Sequence, residues 1–530
     1  MAVELGASRL LAPYFSSSQI VWTIIIGTIM IAMALGNIYG GRKVDKNPNP
    51  DKLYGRIIFA AIWIALIPVV GKYIILGISG LLVFTISTNF LVIAAFAACM
   101  LIFVFPLFLL GTVTPSLVKY TVDSLDDSGK VVGTLNASNT IGSIIGTFVP
   151  TFISIPAVGT SVTFLIFAGI LLALAIAYFI SAKVFVKKVP IAMVLFILCC
   201  IFGRSGSFAF WQKHLTVEDE SIYNYLQVKE DDREVVLSTN VLFGVQSVYV
   251  KERELTGMYY DYAMAAPYMA DIYEKDRPLD VLILGMGTGT YATQCRRFFG
   301  EMYIEGVEID QKITDLAHTY FELPEDVPVA TYDGRAYLNA LSSDRWKKDS
   351  QFGTEDGKYD VIMVDAYQDI TIPFQMSTVE FFTMVKDHLR NDGVMVVNMN
   401  MKGSQKEEGA HEANINDYLA DTIASVFQEV VTVDVIGATN RELFASVNPG
   451  MLDRFTANRA KEKDPSLIRM MQVVEDSKVI YRAGDHIMTD DKAPVELLGM
   501  QVIDEMIRDE VAYYKQIYEE KGLSGLLDSL

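Results

Sequence analysis

Histidine and cysteine are scarce in this sequence, five and four in 530 residues. His214, His318, His388, His411 and His486 are scattered. No pair has metal-ligand spacing, so no metal site is expected. Cys99, Cys199, Cys200 and Cys295 form no C-x-x-C, and three lie in apolar runs, which excludes a disulfide framework. Lysine and arginine, 44 together, are outnumbered by 63 acids, a net charge of −19. With no basic stripe, a nucleic-acid partner is excluded. The acidity suits either a cationic substrate or plain solubility. The opening MAVELGASRLLAPYF lacks the basic start and small-residue cleavage site of a signal peptide, and reads as the last turns of a helix whose beginning is missing.

Apolar residues are abundant, 51% of the chain, and the long runs come before residue 204. Segments 20–40, 56–71, 91–112, 133–156, 161–181 and 190–203 are candidate spans, and 74–86 is a further short one. The expected fold of 1–203 is an all-α transmembrane bundle of about seven spans, a multi-pass anchor in the cell membrane. Arg42, Lys43, Lys46, Lys52 and Arg56 place the first loop in the cytoplasm. Glu4 and Arg9 are expected to pair, and Gly142, Ser143 and Gly146 to serve close helix packing.

After 203 the pattern changes. Residues 204–278 form a small antiparallel β region, where apolar and polar residues alternate. In 279–530 strands and helices then alternate: strands at 281–285, 303–308, 327–331, 360–365, 394–399 and 430–435, helices at 289–299, 311–320, 378–390 and 415–427. Such alternation predicts a Rossmann-like, doubly wound parallel sheet, with ligands at the carboxyl ends of its strands. The run VLILGMGTGTYATQCRRFFGEMYIEGVEID at 281–310 carries the strongest signal. Gly285, Gly287 and Gly289 let backbone approach a ligand, and an acid ending the next strand can hold ribose hydroxyls. Glu308 and Asp310 end the second strand, Asp333 and Gly334 follow the third, and Asp365 ends the fourth. Together these acids describe a class I S-adenosylmethionine-type site: ribose on Glu308, adenine near Asp333, the reacting end near Asp365. Asp333 has an alternative reading as a helix cap.

Further motifs add a resemblance. SIYNYLQV, FGVQ, YYDYAMAAP, VEID, YDG and VDAYQD make the C-terminal half resemble the spermidine synthase (polyamine aminopropyltransferase) family. ASRLLAPYF, GGRKVDK, NASNTIGSIIGT and TDDKAPVE resemble its membrane-fused branch. The resemblance implies transfer of an aminopropyl group from decarboxylated S-adenosylmethionine to an amine, with Asp365 as base. It implies Gln246 with the glycine turn, Glu308, Asp310, Asp333 and Gly334 on the donor. It implies Asn224, Tyr259, Tyr367, Asp369, Asp490 and Asp491 on the amine, with Asp261 close to Tyr259. Thr288 stands where the family's glycine loop carries an acid, and Asn440 and Arg441 stand where it carries an aromatic. Two alternatives therefore stay open: a methyltransferase using ordinary S-adenosylmethionine, and a polyamine transporter or sensor. The lipid bilayer and a homodimer are the other expected partners. Lys183, Lys187 and Lys188 suggest a cytoplasmic 182–189 loop, which would leave the C-terminal domain outside if 190–203 spans fully, whereas cofactor supply favours the cytoplasm.

Overall fold

The computed structural model describes the chain apart from 16–17, 84–88, 123–127, 185–186, 205–206, 211, 213–214, 242–244, 253, 344–350, 368–371, 400–412, 503–511, 514–515, 518 and 523–530. The chain divides into two compact units, Met1–Gln227 with Asn240–Phe243, and Val228–Thr239 with Gly244–Leu530. The division falls inside the expected small β region.

The first unit begins with α1 (Ala2–Phe15), α2 (Gln19–Lys46), α3 (Pro50–Val83), α4 (Phe90–Gly111) and α5 (Val113–Thr121). There follow α6 (Ser128–Val149), a π-helical turn (Pro150–Ser154), α7 (Ile155–Ser181) and α8 (Lys188–Phe202). Strand β1 (Val217–Glu220) comes next, and the division between the units falls within β2 (Tyr225–Glu230). Among the described residues four stretches are long and apolar enough to cross a membrane: Gln19–Lys46, Pro50–Leu82, Phe90–Thr121 and Ser128–Ser181. Lys188–Phe202 is apolar but shorter.

The expected break between 56–71 and 74–86 is absent, because α3 runs through both. Lys72, between the two segments, donates to the Ser207 carbonyl (2.6 Å), so its charge is met without a turn. The stretch over 133–181 does bend, at Gly159, whose φ of 77° only glycine adopts readily. There the Glu220 carboxylate accepts from Thr160 N (2.7 Å) and caps the restarted helix. Of the small residues expected to serve packing, Gly146 is buried, with a Cβ position 3.5 Å from Met1 and 3.6 Å from Ala2 N, but the tightest approaches fall elsewhere. A Cβ on Gly36 would lie 2.2 Å from the Phe108 carbonyl oxygen, and one on Gly111 2.6 Å from that of Met33, so α2 and α4 touch backbone to backbone. Gly142 has open space instead. Arg9 donates to the Ile222 carbonyl, not to Glu4 as expected.

The second unit opens with the antiparallel hairpin of β3 (Glu234–Ser238) and β4 (Ser247–Val250). Then come α9 (Tyr259–Ala263), α10 (Ala265–Met269), β5 (Asp280–Leu284), α11 (Thr290–Phe299), β6 (Tyr303–Glu308), α12 (Gln311–Tyr320) and β7 (Val329–Thr331). The chain continues with α13 (Gly334–Leu341), β8 (Tyr359–Val364), α14 (Val379–Asp387), β9 (Leu389–Met399), α15 (Ile415–Val426) and β10 (Glu429–Asp434). It closes with β11 (Arg441–Ser446), α16 (Met451–Arg459), α17 (Pro465–Ser477) and β12 (Lys478–Ile480).

The sheet order is β12-β10-β11-β9-β8-β5-β6-β7. The five strands from β9 to β7 pair in parallel, as the alternating pattern predicts. The other edge corrects the all-parallel expectation: β11 runs antiparallel to both β9 and β10, and β12 antiparallel to β10. A tight connection through Gly437 (φ 78°) joins β10 to β11, and so short a link permits only a hairpin. Residues of α9–α12, α16 and α17 share one large core with alternate residues of β5, β6, β8, β9, β10 and β11. The chain reverses direction along the sheet between β5 and β8, the switch point where open α/β sheets bind ligands.

Candidate active site

At that switch point the glycine turn meets the end of β8. Gly285 has φ 85°, and a Cβ there would lie 2.5 Å from the Asp365 carbonyl oxygen. Gly287 has φ 54°, and its Cβ would meet Ser247 Oγ at 2.6 Å. Both positions therefore need glycine for conformation and for space. Gly289 caps α11, pointing the first free N–H groups of that helix at the turn. Glu308 is buried at the end of β6 and accepts from Gly287 N (2.9 Å) and Asp310 N (3.0 Å). Burial pushes its carboxyl up to about 7. One acid thus ties the glycine turn to the next strand.

Asp310 caps α12 through Lys312 N (3.2 Å). Asp333 caps α13 through Ala336 N (2.8 Å), with Gly334 as the first helical residue. The capping role weighed for Asp333 is therefore real, and it fixes the carboxylate beside β7. Gln246 joins the same region by its backbone: its N–H donates to Leu237 O (2.8 Å), and its carbonyl accepts from the Tyr260 hydroxyl (2.9 Å). Thr288 is buried, its N–H donates to Ser247 Oγ (3.2 Å), and its hydroxyl has no partner among the described residues.

Asp365 lies just past β8 and is half-buried. The Tyr259 hydroxyl donates to one carboxyl oxygen (2.7 Å) and Asn398 Nδ2 to the other (2.8 Å). Loss of solvation pushes the carboxyl up to about 7, against the pull of those two hydrogen bonds. Tyr259 and Tyr260 lie ring against ring (centroids 4.0 Å), and the burial of Tyr259 keeps its hydroxyl protonated. Asn398 Oδ1 accepts from Asn440 Nδ2 (2.9 Å), and the Asn398 carbonyl accepts from the Tyr367 hydroxyl. A chain Asn440–Asn398–Asp365–Tyr259 therefore crosses three elements. It can position an amine and accept its proton.

Other expected residues have partners of their own or lie in other elements. Asp490 takes a two-point ion pair from Arg335 (2.7 and 2.6 Å) and a bond from Thr378 (2.8 Å), so its charge is already matched. Asp491 is exposed in the neighbouring turn. Asp261 holds the loop before α9, accepting from Thr256 N (2.9 Å) and Gly257 N (2.7 Å). Asn224 belongs to the first unit, in the turn from β1 to β2, where its N–H donates to Ser221 Oγ (2.8 Å). Asp369 lies outside the described residues. Arg441 is paired with Asp434 (2.6 Å). No group that could hold a metal occurs among the described residues.

The chain is similar to known proteins. A family model described as "spermine/spermidine synthase domain" matches residues 263–435. A protein of Bifidobacterium longum named probable polyamine aminopropyl transferase is 49% identical, over 66% of this chain and 77% of its own length. The chain belongs to the polyamine aminopropyltransferase family. It is a transferase. A Vibrio vulnificus polyamine aminopropyltransferase is 26% identical over 39% of this chain and 66% of its own. A solved structure, a probable spermidine synthase of Corynebacterium glutamicum, is 17% identical, with a TM-score of 0.36 over 52% of this chain and 98% of its own.

Three residues of the site escaped the sequence reading. Asn398 ends the apolar run of β9 as Asp365 ends that of β8, a signal that was present. Ser247 and Tyr260 carried none, since their roles depend on α9 and β4 meeting the glycine turn.

Proposed function

We propose that this aminopropyltransferase is anchored in a membrane, takes decarboxylated S-adenosylmethionine as donor, and uses Asp365 to deprotonate its amine acceptor. The observation that carries the reading is the Asp365–Tyr259 pair beside the glycine turn, at the switch point of the sheet. The donor pocket would consist of the 285–289 turn, Gln246, Glu308, Asp310, Asp333 and Gly334. The unpartnered Thr288 hydroxyl faces the same turn and suits the donor's polar end. Bound there, the donor supplies an alkyl carbon activated by its sulfonium. Asp365 accepts the ammonium proton, and a carboxyl held near neutrality does so near physiological pH. Tyr259 and Tyr367 orient the amine, and Asp369 is a further candidate. Asp490 is less suited, because Arg335 already occupies it. Four long apolar helices support the anchor. Cytosolic cofactor supply supports a cytoplasmic site.

A second reading, methyl transfer, draws on Thr288 in place of an acid. Calorimetric titration of the detergent-purified chain with decarboxylated and ordinary S-adenosylmethionine separates the two. Tighter binding of the decarboxylated donor is expected. Preference for the ordinary one moves the assignment to methyl transfer, and binding of neither moves it to a transporter or sensor. Asp365→Asn should keep donor affinity and lose turnover by about 100- to 10,000-fold, the usual range for a general base. Undiminished turnover would remove Asp365 as the base.

A further inference from the structure

Glu442 lies in β11 with no exposed surface, and neither carboxyl oxygen has a hydrogen-bond partner among the described residues. Buried acids are normally paired, since an orphaned one forfeits the solvation it had in water. Its backbone pairs with Asn398 across β11 and β9, and Asn398 in turn hydrogen-bonds Asp365. Residues in register on neighbouring strands share a face. Asp365, Asn398 and Glu442 thus form one row on the sheet. Helix α9, which carries Tyr259, packs on β9 and β11 over that row.

Burial, and then the charge of Asp365, holds the Glu442 carboxyl well above the ordinary range. Titratable groups packed with this layer are Tyr259 and Tyr260 from α9, Tyr268 from α10 and Tyr291 and Cys295 from α11, all kept neutral by burial. Also on α9 are Tyr262, whose hydroxyl accepts from Ile436 N, and Asp261, whose carboxyl accepts from Thr256 N and Gly257 N. Arg441, next in sequence, is occupied by Asp434. The row therefore holds two acids, and neither has a basic hydrogen-bond partner among the described residues.

We propose that Glu442 is the second acid of the acceptor site, receiving the far ammonium of an α,ω-diamine whose reacting nitrogen lies at Asp365. This rests on the amine-acceptor reading above. Strands β8 and β11 are two spacings apart, roughly 10 Å between backbones. A short diamine with a hydrogen bond at each end spans such a gap. As the dication enters, the Glu442 O–H bond breaks, the proton passes to solvent, and the carboxylate pairs with the ammonium. A monoamine leaves Glu442 protonated and gains nothing from it.

The test is calorimetric titration of the full chain with putrescine and with butylamine, in two buffers of different protonation enthalpy. Wild type is expected to bind putrescine about 10- to 100-fold more tightly, the worth of a charged hydrogen bond. It should release about one proton per site more with putrescine than with butylamine at neutral pH, since the release from Asp365 is common to both. Glu442→Gln should abolish both the preference and the excess release. Glu442→Leu should do the same, with an unfolding midpoint at or above wild type as proof of folding. A variant that keeps the preference and the excess release overturns the inference, as does a wild type that shows neither. Failure of the aminopropyl-transfer reading looks different: no transfer by wild type, with Glu442-dependent putrescine binding intact.

Discussion

Two glutamates of one sheet, Glu305 in β6 and Glu442 in β11, have no exposed surface. Their surroundings are opposite. Glu305 accepts from the hydroxyls of Tyr303 (3.0 Å), Tyr337 and Tyr359 (3.0 Å), and from Gly353 N. Glu442 has no partner among the described residues and shares its layer with Asp365. A buried acid is therefore not in itself the mark of a site. One whose lone pairs are filled serves the fold, by joining β6 to α13 and β8. One left open costs stability and is retained beside the chemistry.

The largest effect should come from replacing each acid by leucine. Glu305→Leu strands three tyrosine hydroxyls and should destabilise the protein by about 3–5 kcal/mol. Glu442→Leu removes an unsatisfied acid and should stabilise it by about 1–3 kcal/mol at pH 8. Denaturant unfolding of the full chain measures both, and equal signs would break the comparison. The pH dependence sharpens it. A carboxyl whose pKa is raised by folding contributes stability below its unfolded pKa and loses it as pH rises. The advantage of Glu442→Leu over wild type should therefore grow as pH rises above about 4.5, the ordinary carboxylate value.

Turnover gives the next effect. As the proposed base, Asp365 has to be ionised to accept a proton, and its pKa is held up at about 7. The rate at low acceptor concentration should fall about tenfold for each pH unit below that value. A flat profile down to pH 5 would show that a different group titrates in the free enzyme. The smallest effect belongs to Asp490. Its side chain is 40% exposed and its ion pair with Arg335 is screened, so Asp490→Asn should cost under about 1 kcal/mol. It should leave acceptor KM unchanged; a marked rise in KM would return Asp490 to the acceptor site.

Much of the parallel half of the sheet was legible because each β–α step carries its own apolar period and its own turn. The glycine turn, Glu308 and Asp365 could be read for the same reason: each ends a local apolar run. The antiparallel edge was not legible, because RELFAS is short and its hairpin follows a turn without a strong signature. Gly36 and Gly111 could not be distinguished from Gly142, since close packing is a property of two helices at once.

The sequence by itself determined the apolar N-terminal helices, the alternating strands and helices, and the acids that end those strands, since all of these follow from local periodicity and backbone conformation. The tertiary structure alone decided which acids are free to act. It bonded Asp490 to Arg335, filled Glu305 with tyrosines, placed Asn398 and Tyr259 on Asp365, and brought Glu442 into the same row. The reason is physical: a carboxyl's state is set by its solvation and its nearest partners, and here those partners come from strands and helices far apart in the chain.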